Sequence, residues 1–362
     1  MLEKYIAEIT PLDRAAMDDA QARLDSLVKP PGSLGELEAI ALRLAGISGK
    51  TRYDPARRCV IVMAADNGVV EEGVSAAPQS VTLAQALNFA KGITGVAVLA
   101  KQFGADLIVV DVGINADIDS PFIKNRKIRK STWNIARQDA MTRDEAERAV
   151  LVGAQTAIEA ARDGYALIGV GEMGIGNTTT AAATLCALAG IAPESAAGKG
   201  AGLREGAYLR KIEAIRAALE RGKPDAADPL GTLAKVGGFD IAAMAGAFIG
   251  AARARVPAVI DGFISIVAAL VAARLCPLAR EYMFASHDSF EQGYKHAALA
   301  LGVQPCLRLN MRLGEGSGCP LMFAIIDAAC AIMRDMGTFE QGGIAGEYME
   351  AVKDANFLVR GM

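Results

Sequence analysis

Tyr165-Ala-Leu-Ile-Gly-Val-Gly171, running on into Glu172-Met-Gly-Ile-Gly-Asn-Thr-Thr-Thr180, decides the fold class of this chain. The apolar run reads as a buried strand, the glycines as a tight turn, and Asn177-Thr178 as the opening of a helix. The frame is that of a nucleotide-triphosphate loop, Gly-x4-Gly-Lys-Ser/Thr. Gly171 and Gly176 are in place, but Asn177 stands where the phosphate-clamping lysine belongs. An amide cradle without that lysine points to a single phosphate or a sugar at a helix N-terminus, where unsatisfied amides and the helix dipole favour an anion. A plain glycine-rich strand-to-helix turn capped by Asn and Thr accounts for the same residues.

Outward from this crossing the pattern repeats. Residues 59–65, 107–112, 165–170, 257–260, 282–286 and 306–309 are apolar runs bounded by Gly, Asp or Pro and separated by longer helical patterns. That alternation predicts an α/β fold with a parallel sheet flanked by helices. Polar clusters follow the runs: Asp66-Asn67-Gly68, Asp111-Val112-Gly113, Gly171-Glu172, Asp261-Gly262, Ser286-His287-Asp288 and Gly314-Glu315-Gly316. In open α/β sheets the ligand crevice lies beyond the carboxyl ends of the strands, so these clusters are expected to share one edge. Residues 1–50 read instead as helices punctuated by Lys29-Pro-Pro-Gly-Ser-Leu-Gly35, and a further helix is expected after Gly342-Gly343. The expected organisation is a small helical domain of residues 1–50 plus 342–362, and a large catalytic domain of residues 51–341.

The 362 residues are 52% hydrophobic, enough for a large core. The longest apolar stretches, residues 241–252 and 262–273, fall short of the roughly 18 residues a membrane span needs. The N-terminus mixes acids with apolar residues and shows no signal-peptide pattern. Net charge is −3. The basic run 124–130 has no interleaved aromatics and reads as a solvated loop or edge, so neither nucleic acid nor membrane is expected as a partner. The six cysteines never approach a C-x-x-C spacing and read as reduced, buried thiols of a cytoplasmic protein.

Glu315 stands between Gly314 and Gly316, with Gly318 close by. Glycines let backbone approach a ligand, and apolar surroundings would raise the carboxylate's pKa into the range of a general base. Glu172, inside the opening turn, is a second acid, either dividing the work with Glu315 or accepting backbone amides. Glycoside hydrolysis would use the same pair, so the pair alone does not fix the reaction. Gly198-Lys-Gly-Ala-Gly-Leu203 is a further glycine-rich turn, with Lys199 and Lys211 as candidate phosphate counter-charges or surface lysines. His287 and His296 are the only histidines and suggest neither a metal site nor a Ser-His-Asp arrangement. Ser289 reads as an N-cap or an anion contact.

Taken in order, Lys29 to Gly35, Ala65-Asp-Asn-Gly-Val-Val70, Gly171 to Thr180, Lys235-Val-Gly-Gly-Phe-Asp240, Val259-Ile-Asp-Gly-Phe263, Ser286-His287 and Arg312 to Pro320 closely resemble the nicotinate-nucleotide:dimethylbenzimidazole phosphoribosyltransferase family over essentially the whole chain. The resemblance implies a Rossmann-like parallel sheet, a small domain of terminal helices and a homodimer. It implies transfer of a 5-phosphoribosyl group from nicotinate mononucleotide to a benzimidazole nitrogen, with small-molecule substrates and neither cofactor nor metal. Glu315 falls on the family's general base and Glu172 on its second glutamate. Gln85, Met173 and Leu313 fall on the base pocket. Gly174, Gly176, Asn177 and Thr178 fall on the turn that serves the sugar and the leaving base. Gly200, Gly202, Lys211, Gly262 and Ser289 fall on the phosphate region. One departure stands out: Ala77-Pro78 stands where family members can carry Ser-Pro, with Ser80 displaced by three residues, so a hydroxyl contact to the incoming base is expected to be missing or rerouted.

Overall fold

The computed structural model describes residues 1–198 and 202–344. Strands β1 (Arg58–Ala65), β2 (Ala105–Gly113), β3 (Ile123–Asn125), β4 (Leu167–Met173), β5 (Ala258–Ile260) and β6 (Met283–Ala285) form one sheet. Its order is β3-β2-β1-β4-β5-β6, and every pairing is parallel. This is the doubly wound order, in which the connections reverse direction between β1 and β4 and leave a crevice beyond their carboxyl ends. β1 and β4 are buried nearly throughout, which is why both read as unbroken apolar runs rather than alternating ones.

Two expectations about strands need correction. Residues 306–309 form no strand, and only Leu307 makes an isolated parallel bridge, to His287. The sixth strand is β3, overlapping the start of the basic run, and it pairs with β2 through Val109–Ile123 to Asp111–Asn125. An edge strand tolerates charge because only one side of it is paired. Residues Ser80–Gln102 are together long and apolar enough by composition to cross a membrane. The fold breaks them into helices Ser80–Ala90 and Gly95–Gln102, each too short to span. Gly92 is left-handed at the break (φ 71°), and Thr94 caps the second helix by accepting Ala97 N.

By compactness the chain divides into Met1–Thr10 with Arg57–Met322, and Pro11–Ala56 with Phe323 onward. Both expected boundaries therefore move. The first ten residues belong to the large unit because Glu8 pairs with Arg253, Arg253 stacks 4.4 Å from the Tyr5 ring, and Tyr282 Oη donates to Thr10 O at 2.7 Å. In the small unit, helices Arg14–Ser26 and Glu36–Ser48 pack together. The Lys29–Gly35 motif supplies a buried ion pair there, Lys29 Nζ to Glu38 Oε1 at 2.8 Å. Glu38 Oε1 also accepts Leu34 N at 2.9 Å. The helix expected after Gly343 lies outside the described residues.

In the large unit, helix Arg143–Arg162 starts with a capping box of Thr142 and Glu145. It packs along helix Phe239–Arg253, whose residues Phe239–Ala252 are all buried. Glycine makes this crossing possible. A Cβ at Gly246 would sit 1.8 Å from Val150 O, and one at Gly153 would sit 1.7 Å from Ala243 O. Gly246→Ala is therefore expected to force the helices apart and cost about 2–3 kcal/mol, read as a lower urea midpoint with an unchanged slope.

Candidate active site

A cavity of about 400 Å³ opens beyond the carboxyl ends of β4 and β5. Eleven of the fourteen residues proposed from sequence lie on its wall: Glu172, Met173, Gly174, Gly176, Asn177 and Thr178 from the opening turn, and Gln85, Gly262, Ser289, Leu313 and Glu315 from elsewhere. Gly202 and Lys211 are not on the wall, and Gly200 and Lys199 lie outside the described residues.

Glu315 occupies an uncommon backbone position. Gly314, Glu315 and Gly316 have φ of 81°, 64° and 85°, three left-handed residues in succession. For glutamate this costs roughly 1–2 kcal/mol, so surrounding bonds must hold the turn. The Glu315 backbone N–H donates to Glu172, while Gly316 N and Gly318 N donate to Asp261 at 3.0 and 2.7 Å. The Glu315 side chain is 5% exposed, and its surroundings are not the apolar ones expected. Oε1 accepts Gln85 Nε2 at 2.6 Å, and Oε2 accepts Val96 N at 3.3 Å. Val96 lies in the first turn of helix Gly95–Gln102, where unpaired amides favour a carboxylate.

Glu172 ends β4 next to Met173 and is buried. The Asn177 amide nitrogen donates to Glu172 Oε2, and to Asp240 Oδ2 at 3.1 Å. Its two hydrogens thus serve two carboxylates. Burial pushes Glu172 up to about 8, with Asp240 reinforcing the shift. Burial likewise raises Asp240 to about 6, against the pull of its hydrogen bonds.

The amide cradle expected in the opening turn is largely occupied from within. Ile175 N donates to Thr82 Oγ1, Asn177 N to Gly174 O, and Thr179 N and Thr180 N to Gly176 O. The glycines serve close approach instead. A Cβ at Gly171 would lie 2.4 Å from Gly316 N, and one at Gly174 would lie 2.2 Å from Ala65 O.

Lys211 is fully buried behind the cavity wall. Its ammonium donates to Thr178 Oγ1 at 2.9 Å and Gly198 O at 3.1 Å. Burial lowers it to about 8, with Glu291 opposing the shift. At the same end, Gly262 caps helix Phe263–Leu275 beside Ser289 Oγ and the His287 ring. Among the described residues no cluster of His, Cys, Asp and Glu could hold a metal ion.

Sequence places Asp261-Gly262 among the polar clusters at the crevice edge but gives Asp261 no role, and it singles out neither Asp240 nor the Val96 amide. Both acids stand in quoted motifs, Gly-Gly-Phe-Asp240 and Ile-Asp261-Gly, beside glycines that let backbone come near. The Val96 amide left no signal in side-chain identity.

The raised Glu172 sets a pH signature. The folded chain retains that proton between about 4.5 and 8 while the unfolded chain loses it, so this group lowers stability as pH rises through that window. Glu172→Gln is expected to flatten the fall, measured as urea unfolding free energy from pH 5 to 8. An equal slope in both proteins would contradict the assignment.

The family model described as Phosphoribosyltransferase matches residues 9–344. A nicotinate-nucleotide--dimethylbenzimidazole phosphoribosyltransferase of Clostridium perfringens is 51% identical over 354 residues, covering 98% of each chain. One of Acetivibrio thermocellus is 49% identical over 95% of this chain and 98% of its own. A crystal structure of the Thermus thermophilus protein of that name superposes with a TM-score of 0.87 at 41% identity, covering 92% of this chain and 99% of the other. The conjunction of this sheet order, a glutamate-bearing left-handed turn and full-length similarity places the chain in the nicotinate-nucleotide:dimethylbenzimidazole phosphoribosyltransferase family.

Proposed function

We propose that this enzyme transfers the 5-phosphoribosyl group of nicotinate mononucleotide to a ring nitrogen of 5,6-dimethylbenzimidazole or a related base. The products are nicotinate and α-ribazole 5′-phosphate, the latter for the lower nucleotide loop of cobalamin. The observation that carries the reading is the Glu315 carboxylate, held through both oxygens at the wall of a cavity that also presents Val81, Met173 and Leu313 as apolar surface for a flat ring.

The chemistry needs little else. Nicotinate departs from a positively charged pyridinium nitrogen as a neutral ring, so no general acid is required. The attacking benzimidazole carries an N–H on its other nitrogen that becomes acidic as the new bond forms. Glu315 takes that proton, with Gln85 and Val96 N orienting its two oxygens. Glu172 lies where positive charge develops on the sugar. A pyridinium or oxocarbenium neighbour favours its ionised form, so it meets that charge as a carboxylate. Attack on the face opposite the departing nicotinate inverts a β substrate to an α product. Ala77 lines the wall without a side-chain hydroxyl, and the hydroxyl of Ser75, also on the wall, is bonded to the Ala77 backbone, so the range of bases accepted is open to assay. Homodimerisation and a cytoplasmic location belong to the same reading, and sedimentation velocity tests the first.

Incubation with nicotinate mononucleotide, with and without dimethylbenzimidazole, tests the reaction. Nicotinate release is expected to require the azole, and release without it would indicate hydrolysis instead. Glu315→Gln is expected to lower turnover by about 10² or more while leaving the KM for the mononucleotide largely unchanged.

Lys211, one hydrogen bond behind Thr178, is assigned to the substrate phosphate. It is charged below about 8 and neutral above, so mononucleotide affinity is expected to fall as pH rises through that value. Calorimetry between pH 7 and 9 should show a loss of about tenfold, the neutral fraction a one-unit rise imposes. Lys211→Ala should weaken binding and abolish this dependence.

A further inference from the structure

The turn bearing Glu315 is held by a residue that neither the reaction chemistry nor the sequence motif assigned. Asp261 follows β5 and is 2% exposed. Its two carboxylate oxygens take separate backbone amides, Oδ1 from Gly318 at 2.7 Å and Oδ2 from Gly316 at 3.0 Å. Its own backbone is fixed to two neighbours, one of them tied on to β4. Asp261 N donates to Ser265 Oγ, which donates to Val170 O on β4, and Asp261 O accepts Ser286 Oγ beyond β6. His287 Nδ1 stands 4.0 Å from Oδ1 and 3.0 Å from Ser286 Oγ. A Cβ on Gly318 would lie 2.8 Å from Asp261 Oδ1 and 2.3 Å from His287 Nδ1, so the turn approaches the carboxylate as closely as backbone alone permits.

We propose that Asp261 is a positioning residue for Glu315: its carboxylate clamps the Gly316 and Gly318 amides and so holds the left-handed turn that aims the glutamate into the cavity. Glu315, the one non-glycine of the three residues at positive φ, does not hold that conformation on local preference. Charge-assisted bonds from amides to a buried carboxylate supply the restraint. Glu172, accepting the Glu315 amide, holds the other side of the same turn. The clamp couples strand ends β4, β5 and β6 to the one side chain that receives the proton. The inference rests on Glu315 as proton acceptor for its catalytic consequence, but not for its geometric one.

The two parts are therefore tested separately. In the wild-type protein, Gly316 and Gly318 amides are expected to exchange with deuterium far more slowly than ordinary loop amides, and fast exchange would overturn the clamp whatever Glu315 does. Asp261→Asn keeps the shape but turns an N–H donor toward one of the two amides. It is expected to speed their exchange and to lower kcat about tenfold or more, with the KM for the mononucleotide within about threefold. In a Glu315→Gln background the same change should cost no further activity, because the residue acts through Glu315. An equal loss in both backgrounds would make Asp261 a direct substrate contact and overturn positioning, as would unchanged kcat in Asp261→Asn alone. Full activity of Glu315→Gln would reject the proton-acceptor reading while the exchange result still decides the clamp. Asp261→Ser, which admits water to both amides, gives the same comparison if Asp261→Asn does not fold.

Discussion

The backbone of Gly316 lies directly on Gly171, in the middle of the sheet's central strand, at a distance no side chain would allow. Much of the site depends on that contact. It brings a turn from late in the chain down onto β4, beside the point where the strand order reverses. Glu315 is thereby delivered to the same crevice as Glu172, although 143 positions separate them in sequence. Any side chain at 171 would lift the turn off the strand and carry Glu315 away from Gln85 and Val96.

Crowding this many acids into one buried region creates an electrostatic problem that the fold solves with fixed donors. Glu172 and Asp240 share the Asn177 amide, Asp261 takes two backbone amides, and Glu315 takes Gln85 and a helix N-terminus. Donors in rigid backbone and short side chains need no reorganisation when charge appears in a substrate. The result is a polarised cavity. Under the proposed function its carboxylates would meet a cationic pyridinium and an electron-poor sugar, and Lys211, behind Thr178, the substrate phosphate. The resting protonation of Glu172 fits this division: an acid raised by burial is ready to ionise when a positive charge enters.

Particular residues show how far the sequence could be read. Apolar runs at β1, β4, β5 and β6 were legible because strands buried on both faces read as nearly unbroken apolar runs, and β2 was legible from its buried second half. β3 was not, since an edge strand of three residues carrying Lys124 has the composition of a loop. Residues 306–309 misled for the opposite reason, being apolar but left with one bridge to His287. Asn177 in the lysine position is legible as a departure from the triphosphate-loop pattern, but the sequence does not show what the glycines around it approach. They admit the Glu315 turn, the β1 end and Asp240.

Sequence by itself determined the parallel α/β class, the two glutamates and the glycine turns that carry them, because hydrophobic period and glycine placement are local chemical requirements. Only the tertiary structure decided what each group faces. It put Asp261 under the Glu315 turn, Asp240 behind Asn177, Lys211 behind Thr178 and the Val96 amide against Glu315. Those partners come from separate crossovers of the sheet and include backbone amides that every residue possesses. Their identity therefore depends on chain path, which residue type does not encode one position at a time.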